Sequence, residues 1–84
     1  MSDVIKYPLA TEKSIRLMES ENRLIFVVDK QATKPQIKQA IEEAFNAKVT
    51  KVRTLNTLDN KKKAFITFSQ ETPAIDIATK LGLM

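Results

Sequence analysis

The chain contains no cysteine and no histidine. The absence of cysteine excludes a disulfide framework and a thiolate zinc site, and it agrees with a reducing compartment such as the cytoplasm. The absence of histidine removes the side chain whose unperturbed pKa lies nearest to neutrality, and with it the commonest metal ligand. Acid–base chemistry would have to come from carboxylates, lysines or the single tyrosine, Tyr7. We therefore expect no metal ion and no cofactor.

Glycine and long apolar runs are scarce as well. One glycine in the whole chain cannot build a glycine-rich phosphate loop. The longest uninterrupted apolar run, residues 24–28, is far shorter than the roughly 20 residues that cross a bilayer. Residues 1–6 lack the charged segment followed by an apolar stretch that is typical of a secretory signal. The sequence predicts a cytoplasmic protein that does not insert into a membrane.

The groups that catalysis needs are missing in combination. With 84 residues, the chain is expected to form one domain, residues 1–84, whose modest core leaves little room for a buried active site. The nearest nucleophile pairing is Ser14 beside Lys13, and neighbours on a helix point about 100° apart. We predict no catalytic residue and no enzymatic activity, with a small hydrolase as the most distant alternative.

Hydrophobic patterning predicts a helix and a central strand in the first third of the chain. Thr11 can cap a helix that runs to about Ser20, with Ile15 and Met18 three residues apart on one face. Residues 23–29 are rich in β-branched and aromatic side chains and are apolar at consecutive positions. Such a run is typical of a strand covered on both faces, and so of a central position in a sheet.

A second helix has the strongest local signal. Thr33 is a typical N-cap, Pro35 lies in the first turn, and Gln36 occupies the capping-box position. Asn46 can end the helix in a left-handed conformation. The predicted apolar face comprises Ile37, Ala40, Ile41, Ala44 and Phe45, and the polar face comprises Lys34, Lys38, Gln39, Glu42 and Glu43.

Two strand-like runs, residues 48–55 and 63–69, follow and predict a hairpin. In the first run Val49 and Val52 have opposite parity, so either a bulge intervenes or Val49 belongs to the entry turn. A last helix is predicted to open at residues 72–73 and to end at Gly82, with a capping contact from Leu83. Its apolar face comprises Ala74, Ile77, Ala78 and Leu81.

These elements define an α+β domain in the order helix, strand, helix, strand, strand, helix, with an optional short strand near residues 4–7. We expect a small antiparallel sheet of three to four strands packed against the helices. The chain contains no internal repeat and no low-complexity tract.

The positive charge is concentrated in residues 48–63. This segment contains six lysines and arginines and one acid, a net charge of +5, whereas the whole chain carries +4. A concentration of one sign on one hairpin is typical of a polyanion-binding site. Lysines that protect an edge strand from aggregation are the competing explanation, and they account poorly for so large an excess.

RNA is favoured over DNA by a narrow margin, because no helix concentrates arginine and asparagine as a major-groove reader would. Lys51 and Arg53 share a strand face with Leu55. Phe65 and Phe68 could stack on bases, but at least one of them is expected in the core. The predicted RNA-binding residues are Lys6, Lys13, Lys48, Lys51, Arg53, Thr54, Asn56, Lys61, Lys62 and Lys63.

Several short strings, taken in order, resemble the large-subunit ribosomal proteins of the L twenty-three family. The resemblance covers nearly the whole chain. The matching strings are Pro8 with residues 11–14, Asn22 before residues 26–28, residues 32–34 leading into 37–38, then Val49, Val52, Thr54 and residues 62–69.

The resemblance implies a non-catalytic α+β protein that binds large-subunit rRNA beside the exit of the polypeptide tunnel and touches neighbouring ribosomal proteins. It also implies that the signal recognition particle and other tunnel-exit factors dock on the surface around Ala10, Thr11, Glu12 and Ser14. Bacterial relatives have a longer hairpin that reaches into the tunnel, whereas here only residues 56–60 precede the lysine triplet. The short form is similar to archaeal and eukaryotic-type members. A free-standing basic module that binds nucleic acid or an acidic protein is the alternative.

Overall fold

The computed structural model describes residues 4–82. Its strands and helices follow the predicted α+β order, and the optional first strand is present. In chain order the elements are β1 (Ile5–Pro8), α1 (Glu12–Glu21), β2 (Arg23–Val28), α2 (Lys34–Phe45), β3 (Val49–Asn56), β4 (Lys62–Phe68) and α3 (Ala74–Lys80).

The strands form one antiparallel sheet in the order β1-β2-β4-β3. The predicted central position of β2 is confirmed, since it pairs with β1 on one side and β4 on the other, and residues 24–28 are all buried. Helix α2 carries the chain from β2 across β4 to β3, which is the far edge of the sheet.

A single core lies between the helices and one face of the sheet. Side chains of alternating positions on β2 and β4 enter this core because successive residues of a strand point to opposite faces. They meet the buried side chains of all three helices. The largest side chains that are fully buried in it are Phe26, Val28, Ile37, Ile41, Ile66 and Ile77.

The irregular alternation in β3 is a β-bulge. Val49 pairs with Phe68, but the next pair joins Lys51 to Thr67, so Thr50 is the extra residue. Its hydroxyl donates a hydrogen bond to the Thr67 carbonyl at 3.1 Å. The bulge allows Val49 and, beyond it, Val52 to pack towards the core.

Two threonines begin α1 and α2 through capping boxes. Thr33 Oγ1 accepts from the Gln36 N–H at 3.3 Å, and Gln36 Oε1 accepts from the Thr33 N–H at 2.9 Å. Thr11 and Ser14 make the same reciprocal pair at the start of α1. Asn46, with φ of 50°, ends α2 as predicted.

The predicted faces of α2 need two corrections. Ala44 is exposed, because the apolar stripe that meets the sheet is narrower than the sequence pattern indicates. Glu42 is half-buried, and its carboxylate accepts a hydrogen bond from the Val49 N–H at 3.2 Å. The chain enters β3 shortly after the helix ends, which brings this first strand amide within reach of the glutamate.

Asn22 joins three elements at one point. It ends α1 with φ of 55°. Its side-chain amide donates to the carbonyls of Phe68 at 3.0 Å, Ser69 at 3.0 Å and Thr72 at 3.3 Å. Its Oδ1 accepts from the Ala74 N–H at 2.5 Å, which supplies the cap that the N-cap residue of α3, a proline, cannot give.

Helix α3 ends as predicted, with Gly82 at φ of 75° just after the cap residue. The expected contact of Leu83 lies outside the described residues. Within residues 4–82, no helix has the length and apolar character that would be needed to span a bilayer.

Candidate nucleic-acid interface

The face of the sheet opposite the core cluster carries three of the six cations of residues 48–63, namely Lys51, Arg53 and Lys63. We call it the open face. It is built from alternate residues of β2, β3 and β4. Its members are Arg23, Ile25, Val27, Lys51, Arg53, Leu55, Lys63, Phe65 and Thr67. Ile25 and Val27 are buried, and the other seven are at least partly exposed.

The register arranges these side chains in three rows across the strands. Residues directly opposite in an antiparallel pair share a face, with Cβ atoms about 4.5–5.5 Å apart. Each row therefore mixes a cation with apolar or hydroxyl neighbours. The rows are Arg23–Thr67–Lys51, Ile25–Phe65–Arg53 and Val27–Lys63–Leu55.

A shallow groove of about 250 Å³ runs between α1 and the open face. We call it the open-face groove. Helix α1 supplies one side of it, and β3 and β4 supply the floor and the other side. Its lining includes Lys13, Leu17, Arg23, Arg53, Leu55 and Phe65, so that an apolar floor is bordered by cations.

The two phenylalanines of β4 have separate roles. Phe68 is buried in the core, as predicted for at least one of them, whereas Phe65 is half-buried on the open face opposite Arg53. A partly exposed ring beside a guanidinium is a surface on which a planar group can stack.

Arg23 is a member of the open face that sequence reasoning missed. Its Nε donates to Thr67 Oγ1 at 3.2 Å, and its NH1 lies 3.6 Å from Glu21 Oε2. The sequence shows that Arg23 and Ile25 are two residues apart and so share a strand face. It does not show which residues of β4 lie beside Arg23, because that depends on the strand register.

The lysine triplet does not act as one unit. Lys63 lies on the open face opposite Leu55. Lys62 points the other way, and its Nζ donates to the Ala32 carbonyl at 2.7 Å, so that its charge tethers the loop before α2. Strand alternation separates the two side chains, which adjacency in the sequence had grouped together.

Lys61 belongs to a second recess, of about 490 Å³, lined in part by Lys6, Tyr7 and Lys30. Its Nζ donates to the Tyr7 hydroxyl at 3.3 Å and lies 6.0 Å from the ring centroid. The hydrogen bond to Tyr7, aided by the charge of Asp59, raises the pKa of Lys61.

The hairpin loop is short, as expected, with residues 57–61 between β3 and β4. The Thr57 N–H donates to the Lys61 carbonyl at 2.8 Å, and Thr57 Oγ1 accepts from the Lys61 N–H at 3.3 Å. The Thr57 hydroxyl donates to Asp59 Oδ1. The Thr57 hydroxyl lowers the pKa of Asp59, and the nearby lysines add to the effect. Leu58 is fully exposed at the tip.

Three further predicted RNA-binding residues, Lys48, Thr54 and Asn56, are not members of the open face. Thr54 and Asn56 alternate with Arg53 and Leu55 along β3, although Thr54 also contributes to the lining of the open-face groove. Lys48 precedes the bulge, and its Nζ lies 3.7 Å from Glu71 Oε2.

The predicted docking residues are divided by burial. Ala10, Thr11 and Glu12 are exposed, and Glu12 forms a 3.0 Å ion pair with Arg16. Ser14 is only 2% exposed, and its hydroxyl accepts from the Thr11 N–H and donates to the Thr11 carbonyl, both at 2.8 Å. We infer a structural role for Ser14, in place of direct contact with a partner or nucleophilic attack.

The substitution Ser14→Ala is expected to lower the free energy of unfolding by about 1–2 kcal/mol, because it removes half of the capping box from a buried position. Urea unfolding followed by circular dichroism measures this change. Glu12→Ala is the matched control, since it removes only an exposed ion pair and is expected to cost about 0.5 kcal/mol or less. Equal stability of the Ser14 variant and the native chain would contradict the assignment.

Within residues 4–82, no group of three or more acidic side chains is placed to hold a metal ion. The lysines and arginines of the open face instead offer charge to a polyanion, and the groove offers it an apolar floor.

The fold and the open face define a class: small α+β proteins that present a basic, partly apolar sheet face. Within that class, the profile of the family described as Ribosomal protein L23 matches residues 3–79. The chain belongs to the ribosomal protein L23 family. The resemblance noted in the sequence is confirmed. Because the family is structural and non-enzymatic, the expected lack of enzymatic activity is confirmed as well.

Curated relatives support this membership. The chain is 46% identical over 81 residues to large ribosomal subunit protein uL23 of Tetrahymena thermophila, an alignment covering 96% of this chain and 54% of that protein. It is 47% identical over 81 residues to the proteins of the same name from Methanococcus maripaludis and Methanococcus vannielii, covering 96% of this chain and 94% of each of them. The chain thus spans about half the length of the ciliate relative and nearly all of the two archaeal ones.

Proposed function

We propose that the protein is a structural component of the large subunit of the cytoplasmic ribosome and that it binds large-subunit rRNA through the open face. The observation that carries the proposal is the collection of Arg23, Lys51, Arg53 and Lys63 on one sheet face around Phe65. Clustered cations match a phosphate backbone, and exposed aromatic rings match its bases. The protein acts by binding RNA and does not catalyse a reaction.

The second part of the proposal concerns protein partners. The beginning of α1, with Ala10, Thr11 and Glu12 exposed, serves as a docking surface at the tunnel exit for the signal recognition particle and other exit factors. Exposure and the absence of a net positive charge at these residues support this role. Neighbouring ribosomal proteins contact other parts of the surface. The hairpin is too short to reach far into the tunnel, because its loop has only residues 57–61.

Sedimentation of a lysate from the source cells tests the ribosomal role. The chain is expected to migrate with large subunits after low magnesium separates the two subunits, and to remain bound in moderate salt. A small-subunit protein detected in the same gradient is the control. Recovery of the chain only in the light fractions would instead favour a free-standing nucleic-acid-binding or protein-binding module.

A further inference from the structure

We propose that the open-face groove holds one unpaired nucleotide of the bound RNA, with its base stacked on Phe65 and its phosphates held by Arg53 and Lys13. This inference rests on the proposed function for the identity of the ligand as RNA. It specifies in addition that the protein recognises an unpaired base of that RNA, bound in the open-face groove.

The floor of the groove has the chemistry of a base-stacking site. Phe65 is half-buried, so its ring is held by its neighbours while part of its surface stays accessible. Leu17 and Leu55 extend the apolar surface on either side. At about 250 Å³, the groove is smaller than pockets for drug-sized ligands, which measure about 300–1,000 Å³, and it suits a single planar group.

The charges around the floor are divided between fixed and available cations. Arg23 is bound to Thr67 and Glu21, so its guanidinium is held in place and partly neutralised. The side chains of Arg53 and Lys13 make no hydrogen bond or ion pair with any other residue among 4–82, and both line the groove. Two unpaired cations on opposite sides of an apolar floor match a base flanked by its own phosphates.

This arrangement favours an unpaired nucleotide over a duplex. In A-form RNA the bases are stacked and their faces are inaccessible, so that aromatic side chains contact bases in loops and bulges. Lys51 and Lys63 lie in the rows on either side of Phe65, where the backbone before and after the bound nucleotide would pass. An acidic peptide with an apolar side chain is the competing occupant, and the experiment below distinguishes it.

The test compares Phe65→Leu, which keeps apolar bulk but removes the flat ring, with Phe65→Tyr, which keeps the ring. The probe is deproteinised large-subunit rRNA, titrated with each full-length variant at several salt concentrations. Phe65→Leu is expected to weaken binding about tenfold with an unchanged salt slope, because stacking is lost and no phosphate contact is. Phe65→Tyr is expected to bind as the native chain does.

Chemical probing of base accessibility provides the second measurement. The native chain and Phe65→Tyr are expected to protect at least one unpaired base that Phe65→Leu leaves reactive, and Arg53→Gln is expected to weaken the same protection. Circular dichroism confirms that each variant is folded. Native-like affinity and protection in Phe65→Leu would overturn the proposal, and so would protection confined to paired bases.

Different results would contradict the nucleotide site and the proposed function. If the native chain does not bind the rRNA at any salt concentration, the proposed function fails. If it binds with a normal salt slope but Phe65 is irrelevant, RNA binding stands and the nucleotide site is wrong. A groove that serves an acidic peptide would give this second result.

Discussion

Replacing Asn22 with alanine is expected to lower the free energy of unfolding by about 3–4 kcal/mol. The side chain makes four hydrogen bonds, to the backbone of residues 68, 69, 72 and 74. Each contributes about 1 kcal/mol net, less when bonds share one amide group. Asn22 also has φ of 55°, which costs alanine about 1 kcal/mol more than asparagine.

The expected loss is large because all four hydrogen bonds of the Asn22 side chain reach backbone atoms that are far away in the sequence. Its hydrogen bonds join the end of α1 to the end of β4 and the start of α3. For a domain of this size, each kcal/mol lowers Tm by about 4–8 °C. Urea unfolding and a thermal scan should therefore both detect the change clearly.

Asn46→Ala is the matched control. Asn46 ends α2 with φ of 50° but is exposed, and its side chain makes no hydrogen bond with any residue from 4 to 82. Its replacement by alanine should lower the free energy of unfolding only through the strain of positive φ, by about 1 kcal/mol.

Asn22→Gly measures the other contribution. Glycine adopts positive φ without strain, so this variant should lose only the stabilisation from the four hydrogen bonds. If Asn22→Ala were no more damaging than Asn46→Ala, the four contacts would not stabilise the fold.

Neutralising Lys51, Arg53 and Lys63 together with glutamine is expected to reduce the slope of log K against log salt by about 2–3 in rRNA binding. Affinity at physiological salt should fall by roughly ten- to a hundredfold, since three phosphate contacts are lost. The measurement is a filter-binding titration of large-subunit rRNA at four or more salt concentrations. This experiment tests the open face as a whole, whereas the Phe65 variants test one position within it.

A triple substitution of Lys34, Lys38 and Lys80 is the charge-matched control. These three exposed lysines lie on α2 and α3, and their replacement lowers the net charge by the same amount. Their loss should leave the salt slope nearly unchanged. Equal effects of the two triple variants would mean that RNA responds to overall charge and not to the open face. Lys62→Gln tests whether Lys62 differs in role from Lys63. Because it removes the hydrogen bond to the Ala32 carbonyl, it should lower the free energy of unfolding and have little effect on the salt slope of rRNA binding.

Local signals predicted the elements of this fold well. Thr11, Thr33 and Asn46 act within one helical turn, so the neighbouring sequence is sufficient to predict the caps they form. The apolar run of β2 indicated a strand with two covered faces for the same reason, since composition reports burial directly. The position of Ala44 was predicted wrongly because helical periodicity does not reveal how wide a face the sheet covers.

The candidate site was harder to predict because its members lie far apart in the chain. Arg23 joins Thr67 and Lys51 only through pairing across three strands. The bulge at Thr50 shifts every later residue of β3 by one position relative to β4, which reverses the faces on either side of it. The sequence pattern indicated that an irregularity was needed near Val49 but left two ways to achieve it.

Residue types and their local order were sufficient for the class of fold, the helix caps, the excess charge of residues 48–63 and the family. The first three depend on interactions between near neighbours or on composition, and the family is recognised from the order of short strings along the chain. Only the tertiary structure decided which cations of residues 48–63 lie on which face of the sheet, because strand register and the bulge assign each side chain to a face. They send Lys63, Arg53 and Lys51 to the open face, turn Lys62 towards Ala32, and bring Arg23 and Phe65 into the same surface.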